Sequence, residues 1–328
     1  MDLQPSYPIF SIMIFLSFVA SLLPWAWIRR DNTGILFISL WLAIACLNQF
    51  VNSVIWYGNT RNFLPVWCDI SSRLIVGIAV AIPGSIMCMV RRLYQVCSMK
   101  SFLLTPKEAT LIEDLSICLG IPILQMVLDV IRILLNTPEI IKVHRYDIIE
   151  DIGCYPAPIN AWLAYMLSYS WPVILGFVTA VYSVLTIRAI GRNGKEIDKF
   201  FEHKAQRKHY IRLVILALCE ITFATPFAVV VLILDLTAFP VHRYISLENT
   251  HSHYSRVNQV PAAFWRSDPL LHAVMEMCRW ILVLCAITFY GVFGFSAEAI
   301  NVYKKGFWTV VGLVGIRKRT MRRENIPQ

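Results

Sequence analysis

Residues 64–96 read LPVWCDISSRLIVGIAVAIPGSIMCMVRRLYQV. The run is apolar for longer than the roughly 20 residues a helix needs to cross a bilayer core. Arg73 and Pro83 are the chief interruptions. One end carries Pro65, Trp67, Cys68 and Asp69, and the other carries Arg91, Arg92 and Tyr94. Aromatic side chains favour the membrane interface and Arg favours the cytoplasmic side. The stretch therefore predicts a spanning helix with a cysteine outside and a basic surface inside.

Composition extends this to the whole chain. Of 328 residues, 57% are hydrophobic and 16% charged, with a mean hydropathy of +0.59. Soluble domains carry nearer a quarter charged residues, and lipid explains the deficit, because charge in hydrocarbon is costly. Six further apolar runs are present: Ile9–Ile28, Ile35–Trp56, Leu115–Leu135, Ala161–Ile187, Ile211–Leu236 and Leu270–Ala297. With Trp67–Val96 as span three, this is an all-α membrane protein, a seven-transmembrane helix bundle occupying residues 1–297. Residues 298–328 form a basic tail in which a short interfacial helix is compatible with the apolar and basic blocks.

Charge orients the bundle. No Lys or Arg precedes the first run, and Arg29 and Arg30 follow it. With the N-terminus outside and the C-terminus cytoplasmic, inner segments hold 21 of the 30 Lys and Arg. The net charge of +9 is thus a topological signal rather than a nucleic-acid one. The inner Arg91 and Arg92, with Lys204, Arg207 and Lys208 in the third inner loop, suit contact with a partner helix; the same residues would equally hold topology and touch anionic membrane lipid.

On this topology only Cys68 and Cys154, of nine cysteines, lie near the outer face, where the compartment is oxidising. A disulfide between them would tie the second outer loop over the bundle mouth; the other reading is two unrelated thiols. Alternation from Val143 to Ile149 suggests a strand, ended by Gly153 and Pro156. Its acids Asp147, Glu150 and Asp151 either face a cationic or hydrogen-bonding ligand or pair locally with Arg145. Within spans, Arg73 lies a turn from Asp69, Asp129 precedes Arg132 by three residues, and Glu276 precedes Arg279 by three. Each is either a self-neutralising pair or a ligand contact. Asn48 and Asn52 share a face of span two that should point into the bundle. Prolines at 83, 122, 172 and 226 permit kinks; Pro226, beside the large basic inner loop, is the best candidate for motion. Glu220 has no sequence-local partner and is either a switch or a packing polar group.

Particular residues carry a family resemblance. His144–Pro156, Leu64–Arg73, Arg91-Arg92-Leu93-Tyr94, Leu23-Pro24-Trp25, Trp41, Asn52–Trp56 and Phe289–Ala299 together resemble the fungal a-factor-type mating-pheromone receptors. The likeness touches every span but the sixth. It implies a class D G-protein-coupled receptor for a farnesylated or otherwise prenylated peptide pheromone, acting through a heterotrimeric G protein on a MAP-kinase cascade in the plasma membrane. Ligand-contact candidates are then Asp69, Arg73, Asp147, Glu150, Asp151, Tyr155, Glu276 and Arg279. No cofactor or metal is implied, and pairing of two copies is open.

Other classes fit less well. A retinal protein needs a Schiff-base lysine in its last span, and none lies between Leu270 and Ala297. The chain lacks a His-Glu-x-x-His motif, and Gly84-Ser85 lacks a nearby base, which argues against an intramembrane enzyme. A seven-helix small-solute transporter would show two similar halves, and spans one to three do not resemble spans five to seven.

Overall fold

In the computed structural model, residues 8–27, 33–98, 107–135, 145–157, 170–200, 204–238 and 257–313 are described. Among the described residues, seven helices are long and apolar enough to cross a membrane: Ile9–Ala26, Thr33–Ile55, Pro65–Cys97, Thr110–Ile131, Ser170–Arg192, Ile211–Leu234 and Pro269–Phe293. This is the seven-span bundle that the apolar runs predict.

Span three is its axis. Of its apolar window 67% is buried, and it packs against spans two, four and five and the first half of span six. Its buried residues include Ser71, Ser72, Gly77, Ala81, Gly84 and Ser85. Small side chains let neighbouring backbones approach, which supplies packing where lipid removes the hydrophobic drive. Span two approaches equally closely, because a Cβ on Gly34 would lie 2.7 Å from the Met89 backbone nitrogen. Span one contributes the same chemistry, with Ser11 Oγ 3.0 Å from Ser53 Oγ.

The spans differ from their expected limits in ways the charges explain. Span four continues a helix that starts at Lys107, not Leu115; Glu113 and Asp114 are tolerated because Arg91 and Arg92 meet them. Span five is described from Ser170, so its expected start at 161–169 lies outside the described residues, and its helix runs on to Phe200. Span six grows out of a helix starting at Lys204. Span seven stops at Phe293 rather than Ala297. A turn at 294–296 then redirects the chain into a helix over Ala297–Leu313. That tail helix is pinned where Tyr303 meets the edge of Trp27 and the Tyr290 hydroxyl, 3.0 Å away.

Two spans contain widened π turns, Ser116–Gly120 and Glu220–Ala224. Each is followed two residues later by a proline, Pro122 and Pro226. Proline has no N–H and its ring collides with the carbonyl four residues back. Widening the preceding turn relieves the clash and leaves a carbonyl available. In span four the indole N–H of Trp41 approaches Cys118 O at 2.9 Å.

At the end of the bundle carrying Cys68, a three-stranded sheet forms a lid. Strand β1 (Asp147–Ile149) pairs antiparallel with β2 (Gly153–Tyr155) and parallel with β3 (Asn258–Val260). The expected strand is therefore shorter than Val143–Ile149; residues 143 and 144 lie outside the described residues.

Candidate functional site: the lidded mouth of the bundle

The lid is fastened to three neighbours. Cys154 of β2 is joined to Cys68 at the head of span three, with Cα atoms 5.1 Å apart. Around this bond Trp56, Tyr146 and Ile148 are fully buried. Gly153 adopts a positive φ of 100°, and a Cβ there would lie 2.5 Å from Cβ of Asn52. Only glycine combines that backbone conformation with that approach. Asn52 is in turn fixed, accepting from the Trp67 indole at 2.9 Å and donating to Ser71 Oγ at 2.8 Å.

Asp151 is the second fastening. Its backbone has a positive φ of 68°, a conformation aspartate tolerates better than most residues. Its N–H donates to Trp56 O at 3.0 Å. Its carboxylate accepts from Gly58 N at 3.0 Å and pairs with Arg266 at 2.6 Å. One acid thus joins all three loops at this end. Glu150 is the third: its carboxylate accepts from Ala262 N at 2.7 Å, capping the short helix Ala262–Trp265. Its backbone carbonyl accepts from the Trp265 indole at 3.3 Å.

The charges just below the lid are paired differently from their sequence spacing. Asp69 and Arg73 do not pair with each other. Arg145, where the chain enters β1, makes a two-pronged bond to Asp69, its Nε lying 2.7 Å from Oδ1. Arg73 reaches across to Asp129 of span four at 2.7 Å and donates to Arg145 O at 3.3 Å. Asp129 thus takes a cross-helix partner; the Arg132 side chain lies outside the described residues. Arg279 and Glu276 do pair, at 2.6 Å. Arg279 is also held over the Phe10 ring at 4.2 Å, and the Trp280 indole donates to Glu276 at 3.2 Å. Arg279 is 3% exposed, and such burial is tolerable because the charge is matched within the bundle.

Asp147 and Tyr155 face each other in register across β1 and β2. Asp147 is 8% exposed, and its Oδ1 is buried with no hydrogen-bond partner. Burial pushes its carboxyl up to about 6, opposed by a hydrogen bond from the Asn258 side chain. Tyr155 is half-buried against a cluster of Ile149, Ile152 and Trp265, to which Leu271 and Met275 of span seven also pack.

The opposite, basic end has its own hub. Asp114, 2% exposed, is bonded to Arg91 at 2.9 Å and to Arg92 at 3.4 Å, and accepts from the Thr33 hydroxyl. Glu113 adds a bond to Arg91 at 2.8 Å. Arg91 and Arg92 are therefore tied to span four, with Arg92 the more exposed. Lys204, Arg207 and Lys208 fall on the first turns of the helix leading into span six, Glu220 opens its π turn, and Pro226 follows that turn. The side chains of Lys204, Arg207, Lys208 and Glu220 lie outside the described residues.

Sequence reasoning missed Asp114, Arg266 and the lid role of Gly153. An acid early in a span, opposite an Arg pair on the preceding one, was the available signal for Asp114. Nothing local marks Arg266.

Residues 9–313 match the pheromone A receptor family. The chain is 36% identical over 322 residues to the Pheromone B alpha 3 receptor of Schizophyllum commune, covering 97% of this chain and 50% of the relative. It is 38% identical over 320 residues to the Pheromone B alpha 2 receptor of Schizophyllum commune, covering 97% and 48%. Against the Pheromone a factor receptor of Saccharomyces cerevisiae the figures are 25% over 290 residues, 86% and 58%. The chain spans about half the length of the Schizophyllum relatives.

Proposed function

The chain belongs to the pheromone A receptor family and is a multi-pass protein of the plasma membrane, and we propose that it is a G-protein-coupled receptor for a prenylated peptide mating pheromone. The lid faces outward and receives the ligand; the basic end faces the cytoplasm and engages a heterotrimeric G protein that drives a MAP-kinase mating response. The observation that carries this is the pairing of a disulfide-tied lid with a basic opposite end on one seven-helix bundle of this family.

The ligand's peptide part meets the polar groups under the lid, and its prenyl chain lies among the apolar residues of the spans. Asp69, Arg73, Asp147, Glu150, Asp151, Tyr155, Glu276 and Arg279 make or support the ligand site. The internal pairing of most of these residues favours a supporting role for them. Arg91, Arg92, Lys204, Arg207 and Lys208 form the G-protein surface, and the Glu220–Ala224 turn with Pro226 is the hinge that changes it. A hinge here follows from a weakened hydrogen-bond ladder at proline. A transporter is not favoured, since the family consists of receptors and the two halves of the chain show no similarity.

The test is G-protein nucleotide exchange in membranes containing the chain, with matched farnesylated and unfarnesylated peptides. Exchange should rise only with the farnesylated set. An equal response to both sets would remove the lipid requirement, and silence from folded protein would remove the receptor function.

A further inference from the structure

Among the described residues, the acids at the lidded end take partners from the fold, and Asp147 alone of them keeps a buried carboxylate oxygen without one. Asp69 holds Arg145, Asp129 holds Arg73, and Asp151 holds Gly58 N and Arg266. Glu150 caps Ala262, Asp268 caps Leu270 and Leu271, and Glu276 takes Arg279 and Trp280. Asp147 keeps one buried carboxylate oxygen that no donor meets.

Its position makes this useful. β1 is the central strand, and Asp147 stands in register between Tyr155 and Asn258. By strand alternation it shares a face with Ile149, which packs toward Trp265, Leu271 and Met275. That face therefore looks toward the head of span seven, where Glu276 follows Met275. Asn258, the residue that does reach Asp147, is itself exposed on an edge strand. A donor arriving from solvent can push the Asn258 side chain aside and so reach the carboxylate without dismantling the disulfide or the Asp151 fastening.

We propose that Asp147 is a specificity-determining residue whose unpartnered oxygen accepts a hydrogen bond or an ammonium group from the peptide part of the ligand. The assignment rests on the receptor function proposed above. Desolvating a carboxylate without completing its hydrogen bonds is unfavourable, and folding has already imposed that cost here. A donor supplied by a ligand then makes a charge-assisted bond in a preorganised place. The site takes N–H, O–H or ammonium and rejects a carboxylate.

The ionised form carries this function, so binding should follow its titration. Among the described residues, the ionisable groups around this face are Tyr155 on β2, His272 of span seven against the Trp265 ring, the Asp151–Arg266 pair and the Glu276–Arg279 pair; both pairs are internally neutralised. Because burial raises the Asp147 pKa from 3.8 to about 6, the empty lid gains stability from the protonated form. That gain is complete below pH 3.8 and is lost as pH rises through about 6. A ligand donor has the opposite preference and weakens as pH falls through the same range.

The experiment uses membranes with the full chain and synthetic S-farnesyl, carboxyl-methylated peptides in pairs that differ by one lysine-to-norleucine change. Nucleotide exchange is read at pH 7 and pH 5 for the wild type, Asp147→Asn and Asp147→Glu, together with surface amount. For the wild type, the half-maximal peptide concentration should rise about tenfold on going to pH 5, as one unit below the pKa leaves about a tenth ionised. Asp147→Asn should raise it about tenfold at pH 7, flatten the pH profile and change the ranking within at least one peptide pair. Asp147→Glu should restore the pH dependence in part.

A responding wild type with Asp147→Asn unchanged at both pH values overturns the Asp147 assignment and leaves the receptor function standing. A folded wild type silent to every farnesylated peptide overturns both. If Asp147→Asn fails to reach the surface, the wild-type profile decides, and a flat profile between pH 5 and pH 7 overturns the assignment.

Discussion

Spans three and six share one sequence plan, an apolar helix with a proline in its middle, and the bundle treats them oppositely. In span three 67% of the apolar window is buried, against 12% in span six. Pro83 sits in an unbroken helix from Pro65 to Cys97, whereas Pro226 follows a π turn. Span three is held by the lid disulfide at one end and by Asp114 at the other. The half of span six beyond Pro226 has its main packing on span five. The same residue type is thus a packed irregularity in one place and a break on a largely uncovered helix in the other. Whether a helix break becomes mobile depends on what its neighbours hold.

Removing the disulfide should break this contrast most severely. Cys68→Ser or Cys154→Ser opens a closure spanning 86 residues, for which chain entropy gives about 4.6 kcal/mol. The thermal midpoint and the amount of folded receptor at the surface should both fall; unchanged values in both variants would mean the lid is held without its staple. Asp114→Asn acts on the other end of the same axis. Removing one partner of a buried charge cluster should cost about 2 kcal/mol or more and release Arg91 and Arg92. Basal nucleotide exchange should rise as the midpoint falls, and an unaltered basal rate would show that the clamp does not restrain coupling. The smallest effect is the sharpest comparison. Pro226→Ala should reduce peptide-driven exchange by about threefold with peptide binding retained, because it restores a helix hydrogen bond at the proposed hinge. Pro83→Ala should leave amplitude unchanged. Equal effects would erase the distinction between the two helices.

Much of the architecture was legible because it is local. A run of about 20 apolar residues spans a bilayer whatever lies beside it, and seven such runs are plain in the chain. The cysteine pair was legible once the topology limited which thiols share a compartment. The hydrogen-bonding face of span two was visible in Asn48 and Asn52, and Asn52 does hold the lid. The partners of the charges were not legible. Asp69 and Arg73 lie one helical turn apart, yet Arg145 and Asp129 take them, because both charges gain better geometry from groups brought in by other segments.

By itself, then, the sequence determined the class of molecule: seven apolar helices, a basic side, two cysteines able to meet, and a family pattern spread along the chain. Tertiary structure alone decided how β3 pairs with β1 from more than a hundred residues away. It also decided that Asp151 joins three loops, that Asp114 restrains two arginines, and that Asp147 is left incomplete. The physical reason is range. Partition into lipid is a property of each segment, whereas the worth of a buried charge depends on which atoms the whole fold brings within about 3 Å of it.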